Sequence, residues 1–405
     1  MLNRHPLNSP ELSLYIHVPF CRRKCDYCAF YSVLPGPEER DRYLDRRIEE
    51  LRRFRELYGY YRVKTVYIGG GTPSVLGPRR LARLFRGLAD ALPGSPGLEE
   101  CSLELNPEDV SRELLDSLRD SPVTRLSLGV QSLNETTLRT IGRRGAAGAA
   151  GAAEAARSAL ETLRGGWPGV LSADLIAGVP GRSPKEARED VQSLAAAGVD
   201  HLSIYALTLE PGTALYRRLR PRDGATGGWL AALEEAQARG YRRYEVSNLA
   251  RPGAECRHNQ RFWEGRPYIG LGPAAVSTVW NSRVDTSPGA LRWTRGHREG
   301  EITGEERLGY SELLLEYLML RLRTREGLDL QDFAGIFGCS ARGELEAAAG
   351  RVLAEGLLRR EDGAMRLRAS DRGYRYLDGV LRELSGGLSL TEACPDDSVK
   401  RSPVE

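Results

Sequence analysis

Short apolar runs of strand length alternate with longer stretches of helical periodicity through the first half of the chain. The runs are Leu12–Val18, Val63–Ile68, Cys101–Leu105, Arg125–Val130, Leu171–Ile176 and His201–Leu207. Between them lie amphipathic stretches at Glu39–Leu57, Pro78–Leu92, Ser111–Leu118, Ala146–Leu163 and Pro184–Ala197. In the first of these Leu44, Ile48 and Leu51 share one face, as do Leu81, Leu84, Phe85 and Leu88 in the second. Strand followed by helix, repeated along the chain, predicts an α/β fold with a parallel sheet and right-handed crossovers. No dinucleotide glycine fingerprint opens the first crossover, so a partial (β/α)6 TIM-like barrel is favoured over a Rossmann sheet.

Alternation within the strands separates two faces. Leu14, Ile16 and Val18 share one side of the first strand, and Leu103, Leu105, Leu126, Leu128, Val130, Leu171, Ala173, Leu175, Leu202 and Ile204 fall on the matching side of the others. A strand covered by helices needs apolar residues on that side. The opposite set must then point into the barrel: Tyr15 and His17, Ser102, Glu104 and Asn106, Ser127, Gly129 and Gln131, Ser172 and Asp174, Ser203 and Tyr205. Agreement across the strands predicts a polar cavity near their C-terminal ends, where barrel enzymes place their sites.

The pattern changes further on. A helix at Trp229–Arg239 precedes Cys256-Arg257-His258-Asn259-Gln260-Arg261-Phe262-Trp263. The barrel with an extension of its sheet is expected over residues 1–284, and residues 285–304 read as a linker. From Glu305 to Leu384, helices and a small hairpin suggest a mostly helical, winged-helix-like C-terminal domain. Residues 385–405 are polar and rich in Ser, Asp and Pro, and are expected to be disordered. The Ala/Gly-rich Gly145–Ala156 reads as a tolerated insertion.

The chemistry concentrates in Cys21-Arg22-Arg23-Lys24-Cys25-Asp26-Tyr27-Cys28, just after the first strand. Three soft sulfurs on one loop, with no fourth nearby, suit a 4Fe–4S cluster that keeps one iron open. Zinc sites with Cys-x2-Cys usually bring a second ligand pair roughly 12–20 residues on. The next cysteine is Cys101, inside an apolar run, although His17 leaves a Cys3His site conceivable. The second strand runs into Gly69-Gly70-Gly71-Thr72-Pro73, whose backbone N–H groups can approach a ligand closely. His258, beside aromatics, has two readings: a structural hydrogen-bonding residue or an axial haem ligand.

Charge narrows the classes further. Of 405 residues 28% are charged, yet 58 basic against 55 acidic leave only +3, which argues against electrostatically driven binding of nucleic acid or membrane. Seven cysteines with three in one motif suit a reducing compartment. Met1–Ser9 has no apolar core of a signal peptide and no long apolar span occurs, so a cytoplasmic protein without an integral membrane segment is expected.

The cysteine loop, Gly-Gly-Gly-Thr-Pro, Glu104-Leu105-Asn106-Pro107, Gly129-Val130-Gln131-Ser132 and Asp174-Leu175-Ile176-Ala177-Gly178-Val179-Pro180 together resemble radical S-adenosylmethionine (SAM) proteins of the oxygen-independent coproporphyrinogen III dehydrogenase family. Similarity runs from about Ser13 to Leu384 and is greatest to the haem chaperone branch. The coproporphyrinogen enzymes carry a fourth cysteine where this chain has Phe30, and the Cys256–Trp263 element is similar to that branch's H-N-x-x-Y-W, with Phe262 for the tyrosine. The resemblance implies a 4Fe–4S cluster on Cys21, Cys25 and Cys28, with SAM on the open iron. It implies Tyr15 beside the cluster and SAM, and Gly70, Gly71 and Thr72 on the methionine end. Glu104 would accept from the ammonium, Arg143 would pair with the carboxylate, and Gln131 and Asp174 would bind the ribose or neighbouring atoms. It also implies haem as cargo, with His258 as a contact, for delivery to respiratory haem proteins. Any membrane contact is expected through a partner. The electron donor and SAM cleavage during normal work stay open. Two alternatives remain: a coproporphyrinogen III dehydrogenase acting on propionates, and a metal-site regulator using its C-terminal module on nucleic acid.

Overall fold

The structure, a computed structural model, describes residues 11–389 except 60, 93–96, 145–150, 220–224, 285–286, 296–301 and 362–364. The expectations for Met1–Ser9, for residues 145–150 of the insertion and for residues 390–405 of the tail lie outside the described residues.

Six strands follow one another in the sheet as they do in the chain: β1 (Glu11–Val18), β2 (Arg62–Gly70), β3 (Glu100–Leu105), β4 (Arg125–Gln131), β5 (Val170–Ala177) and β6 (His201–Ala206). Each pair is parallel. The intervening helices are α1 (Pro37–Tyr58), α2 (Pro78–Ala91), α3 (Arg112–Leu118), α4 (Glu135–Thr140), α5 (Ala152–Gly166) and α6 (Pro184–Ala196). Their starts are written locally. Ser183 accepts from the Glu186 N–H while the Glu186 carboxylate takes the Ser183 N–H, a reciprocal cap that opens α6 on Pro184. Leu14, Ile16, Val66, Ile68, Leu103, Leu126, Leu128 and Leu202 are fully buried beneath these helices. Burial of each such side chain stabilises the fold by about 1.5–3 kcal/mol.

After β6 come α7 (Ala214–Arg218), α8 (Ala225–Ala238), β7 (Arg242–Arg243), β8 (Asn248–Ala250), α9 (Arg257–Trp263) and β9 (Tyr268–Leu271). β8 and β7 continue the sheet beyond β6 as antiparallel strands, whereas β9 returns to the other edge and pairs parallel with β1.

The expected linker at 285–304 is corrected. β10 (Val276–Val284), β11 (Ser287–Arg295) and β12 (Ile302–Leu308) form an antiparallel meander that extends the main sheet past β9. Pro288 and Gly289 erase the strand signal locally, while pairing on both sides satisfies the backbone of β11. The barrel sheet therefore ends at Leu308 rather than at 284.

The C-terminal region follows with α10 (Tyr310–Leu322), β13 (Leu328–Asp329), α11 (Leu330–Phe337), α12 (Cys339–Ala354), β14 (Leu358–Arg360), β15 (Arg366–Ala369), α13 (Asp371–Arg375) and α14 (Leu377–Gly386). Its sheet has the order β13-β15-β14, and Leu313, Tyr317, Phe333, Phe337 and Leu345 form its own core. The boundary drawn at 385 is also corrected: α14 continues to Gly386 and Leu388 packs on that core. Arg323 locks this region to the barrel. Its guanidinium reaches the fully buried Glu245 at 3.0 Å and lies 3.8 Å from the Trp263 ring centre. Among the described residues no helix is long and apolar enough to cross a membrane.

Candidate functional site

β1 ends at Val18, and its backbone hands the chain into the cysteine loop at the C-terminal mouth of the sheet. Val33 closes the loop from behind: its N–H donates to Pro19 O at 2.7 Å and its carbonyl accepts from Cys21 N–H at 3.0 Å. His17 is committed to the scaffold. One ring nitrogen lies 3.1 Å from the Tyr15 hydroxyl and the other 3.3 Å from Tyr31 O. Burial pushes the Cys21 and Cys28 thiols up, and each is raised further by the neighbouring cysteines, so the sulfurs lie within electrostatic range of one another. Among the described residues no three His, Cys, Asp or Glu side chains close to the spacing of a single ion. His17, with both ring nitrogens engaged by Tyr15 and Tyr31, is not turned to completing a Cys3His site. Three soft donors on one pinned loop fit a larger iron–sulfur centre.

Arg143 bridges this loop to the inner wall. It donates to Cys25 Sγ at 3.3 Å and to Gly129 O at 3.0 Å, and also to Asn106 Oδ1. Cys25, Asp26, Asn106, Glu108, Gly142 and Arg143 line a polar cavity of about 230 Å³. Thr72, at the end of the glycine turn, places its hydroxyl 3.7 Å from Cys21 Sγ.

Glu104 anchors the other side. Its carboxylate accepts from the Tyr67 hydroxyl at 2.8 Å and from Gly70 N–H at 3.1 Å. Burial and the nearby Asp174 push it up to about 7, against those two hydrogen bonds. Burial likewise raises Asp174 to about 6, opposed by Ser203 and Ser127. Asp174 lies within Coulombic reach of Glu104, so the Glu104 carboxyl is held partly uncharged until an opposite charge compensates it. Tyr15 stacks on Tyr67 with ring centres 6.2 Å apart, beneath the glycine turn. Gln131 sits after a register break in β4 with φ 65°, an uncommon conformation for a side-chain-bearing residue and one concentrated at functional sites. The missing Cβ of Gly129 leaves room for the Gln131 amide. The structure thus brings Tyr15, Gly70, Gly71, Thr72, Glu104, Gln131, Arg143 and Asp174 to the same mouth as the three cysteines.

Gly70 has φ 111°, and a Cβ there would stand 2.5 Å from the His17 ring. Gly70→Ala is expected to lose roughly 2–4 kcal/mol, combining backbone strain with overpacking. Urea unfolding checks this; a midpoint equal to that of the parent rules out the tight approach.

A second polar layer lies beneath the first, and sequence reasoning missed it. Arg125 and Glu100 are both almost fully buried and pair at 2.9 Å. Arg125 also donates to Ser172 and to the carbonyls of Ala254 and Glu255. Glu100 accepts the backbone N–H groups of Arg257 and His258, each at 3.2 Å, and so plugs α9 into the barrel floor. Extending the strand alternation two residues back from Ser102, Ser127 and Ser203 reaches Glu100, Arg125 and His201, so the signal was available. His258 belongs to this layer: Nδ1 lies 3.0 Å from the Thr65 hydroxyl, and its ring packs 5.2 Å from that of Tyr67. Burial holds it down at about 4, so it is neutral at pH 7. That geometry favours the structural hydrogen-bonding reading.

Comparison with known proteins agrees with this arrangement. Residues 15–194 match the radical SAM superfamily and residues 311–376 the HemN C-terminal domain. The heme chaperone HemW of Mycobacterium tuberculosis is 37% identical over 396 residues, covering 94% of this chain and 96% of that protein. HemW of Bacillus subtilis is 30% identical over 370 residues, covering 88% and 94%. The solved structure of coproporphyrinogen III oxidase (HemN) from Escherichia coli, a radical SAM enzyme, aligns with a TM-score of 0.76 at 20% identity. It covers 95% of this chain and 92% of that one, which establishes a shared fold.

Proposed function

The chain belongs to the radical SAM superfamily, in the branch that contains the haem chaperone HemW, and from that premise we propose that it is a haem chaperone carrying a SAM-binding 4Fe–4S cluster. Cys21, Cys25 and Cys28 hold the cluster, which when bound supplies one-electron chemistry at the SAM sulfonium. Gly70, Gly71 and Thr72 present backbone and hydroxyl groups to the methionine end, and Glu104 accepts from its ammonium. Arg143, which already spans Cys25 and Asn106, pairs with the carboxylate. Tyr15 walls the pocket, and Gln131 and Asp174 take the ribose side. The single observation that carries the reading is the convergence of a three-thiol loop, a glycine turn and a buried carboxylate at one strand-end mouth. Phe30, 70% exposed, stands where the coproporphyrinogen enzymes have their fourth cysteine, which supports the chaperone over the dehydrogenase. Haem is the cargo and respiratory haem proteins are the clients. The chain works in the cytoplasm, and any membrane contact is made through a partner, since no helix among the described residues is long and apolar enough to cross a membrane.

Affinity for SAM should depend on pH through Glu104. The carboxyl must be ionised to receive an ammonium, and its value of about 7 means that it gains charge between pH 6 and 8. Binding is expected to tighten about tenfold over that interval, following the ionised fraction. Glu104→Gln should flatten the dependence; a slope that survives the substitution removes Glu104 from the ammonium site.

One reconstituted preparation tests the whole reading by haem titration and by coproporphyrinogen turnover with SAM and a reductant. A Soret shift without turnover is expected. Turnover without haem binding reverses the assignment in favour of the dehydrogenase.

A further inference from the structure

Far from the cysteine mouth, the edge strand β7 faces the β14–β15 hairpin across a cleft of about 490 Å³. Its lining includes Arg242, Arg243, Arg325, Arg359, Arg368 and Tyr374. The carboxylates among the lining residues are Glu361 and Asp371, and Arg368 already binds Glu361. Arg325 is drawn towards Glu326 at 3.7 Å. Arg242, Arg243 and Arg359 have no carboxylate within ion-pair distance among the described residues. Arg243 makes do with the carbonyls of Glu245 and Val246 and lies 4.5 Å from the Tyr374 ring centre. Burial pulls its guanidinium below the ordinary value, against the opposing charges of Tyr374, Asp371 and Glu245.

Two chain segments more than 100 residues apart thus bring together five arginines, three of which make no ion pair among the described residues. The rest of the lining sets the polar Gln237 and Ser370 beside tyrosine rings, the Ala369 methyl and the aliphatic stems of the arginines. Guanidinium groups beside tyrosine rings suit a flat, largely hydrocarbon ligand that carries a pair of carboxylates at one edge. The volume lies within the ordinary range of small-molecule sites, roughly 300–1,000 Å³.

We propose that this arginine cleft between β7 and the β14–β15 hairpin receives the two propionates of the haem cargo. The proposal rests on the haem-chaperone reading and adds the place where the cargo is gripped, remote from the SAM mouth. Holding haem by its carboxylate edge lets a client approach the iron from the opposite side.

The test uses the full-length chain with its cluster reconstituted, titrated with haem, with haem dimethyl ester and with inorganic pyrophosphate. The variant is the double substitution Arg242→Gln and Arg359→Gln, both exposed and outside the SAM site. Loss of two charge-assisted contacts is expected to weaken haem binding about 100-fold, with SAM affinity unchanged. The dimethyl ester, whose propionates are blocked, is expected to bind the parent as weakly as haem binds the variant, and pyrophosphate is expected to compete with haem. Equal haem affinity for variant and parent, or ester binding as tight as haem, overturns the proposal. Pyrophosphate that binds without displacing haem does the same and marks a phosphate site instead. A parent protein that binds no haem at all defeats the chaperone reading itself, a result separable from the others.

Discussion

Cys25→Ala, reconstituted anaerobically, is expected to fall from about four irons per chain to below about one. The argument lies in the supply of sulfur. Cys25 is the middle ligand of the loop, and among the described residues the remaining thiols cannot replace it. Cys101 is buried in β3 with its thiol pushed up to about 12, and Cys256 is buried beside Glu100, which raises it further still. Cys339 is exposed, but it opens α12 in the C-terminal region. Val33 and His17 hydrogen-bond the loop to the scaffold, so the variant should fold. Iron and acid-labile sulfide analysis, with thermal unfolding as the control, decides the matter. A folded Cys25→Ala protein that retains its full iron complement would end the cluster assignment.

The second large effect lies in the barrel floor. Arg125→Met is expected to cost about 3–5 kcal/mol, because it leaves the Glu100 carboxylate buried without its counter-charge. A typical domain has only about 5–15 kcal/mol in total, so the loss is severe. The double variant Arg125→Met/Glu100→Leu should recover much of it, since removal of both charges also removes the desolvation cost. The pH dependence has a definite sign. Arg125, Cys256 and the His258 N–H hold the Glu100 carboxyl below its ordinary value despite burial. Its contribution is therefore fully present above the ordinary glutamate range and is lost as pH falls through the folded-state value. Urea unfolding of parent and double variant from pH 7 downwards measures this. A parent whose stability declines no faster than that of the double variant rules out the linkage through Glu100.

Much of the mouth was legible before any tertiary structure. Tyr15, Glu104, Gln131 and Asp174 fall on the inward face by strand alternation alone, because a sheet covered by helices leaves polar residues only one direction. Arg143 did not yield to that logic: it follows the short helix α4, outside any strand, and only folding carries its guanidinium to Cys25 and Asn106. The stretch 285–304 misled because proline and glycine dominate a local reading, whereas pairing to β10 and β12 is a non-local event. His258 offered two roles in sequence, and its packing between Thr65 and Tyr67 favours the structural one.

Local spacing by itself determined the alternation of strand and helix, the three-thiol loop and the polar lining of the strand ends, since each is encoded within a few consecutive residues. Tertiary structure decided the pairing of Glu100 with Arg125, the reach of Arg143 and the assembly of the arginine cleft. Each of these depends on charges far apart in the chain, and their energies take effect only once burial has removed the water between them.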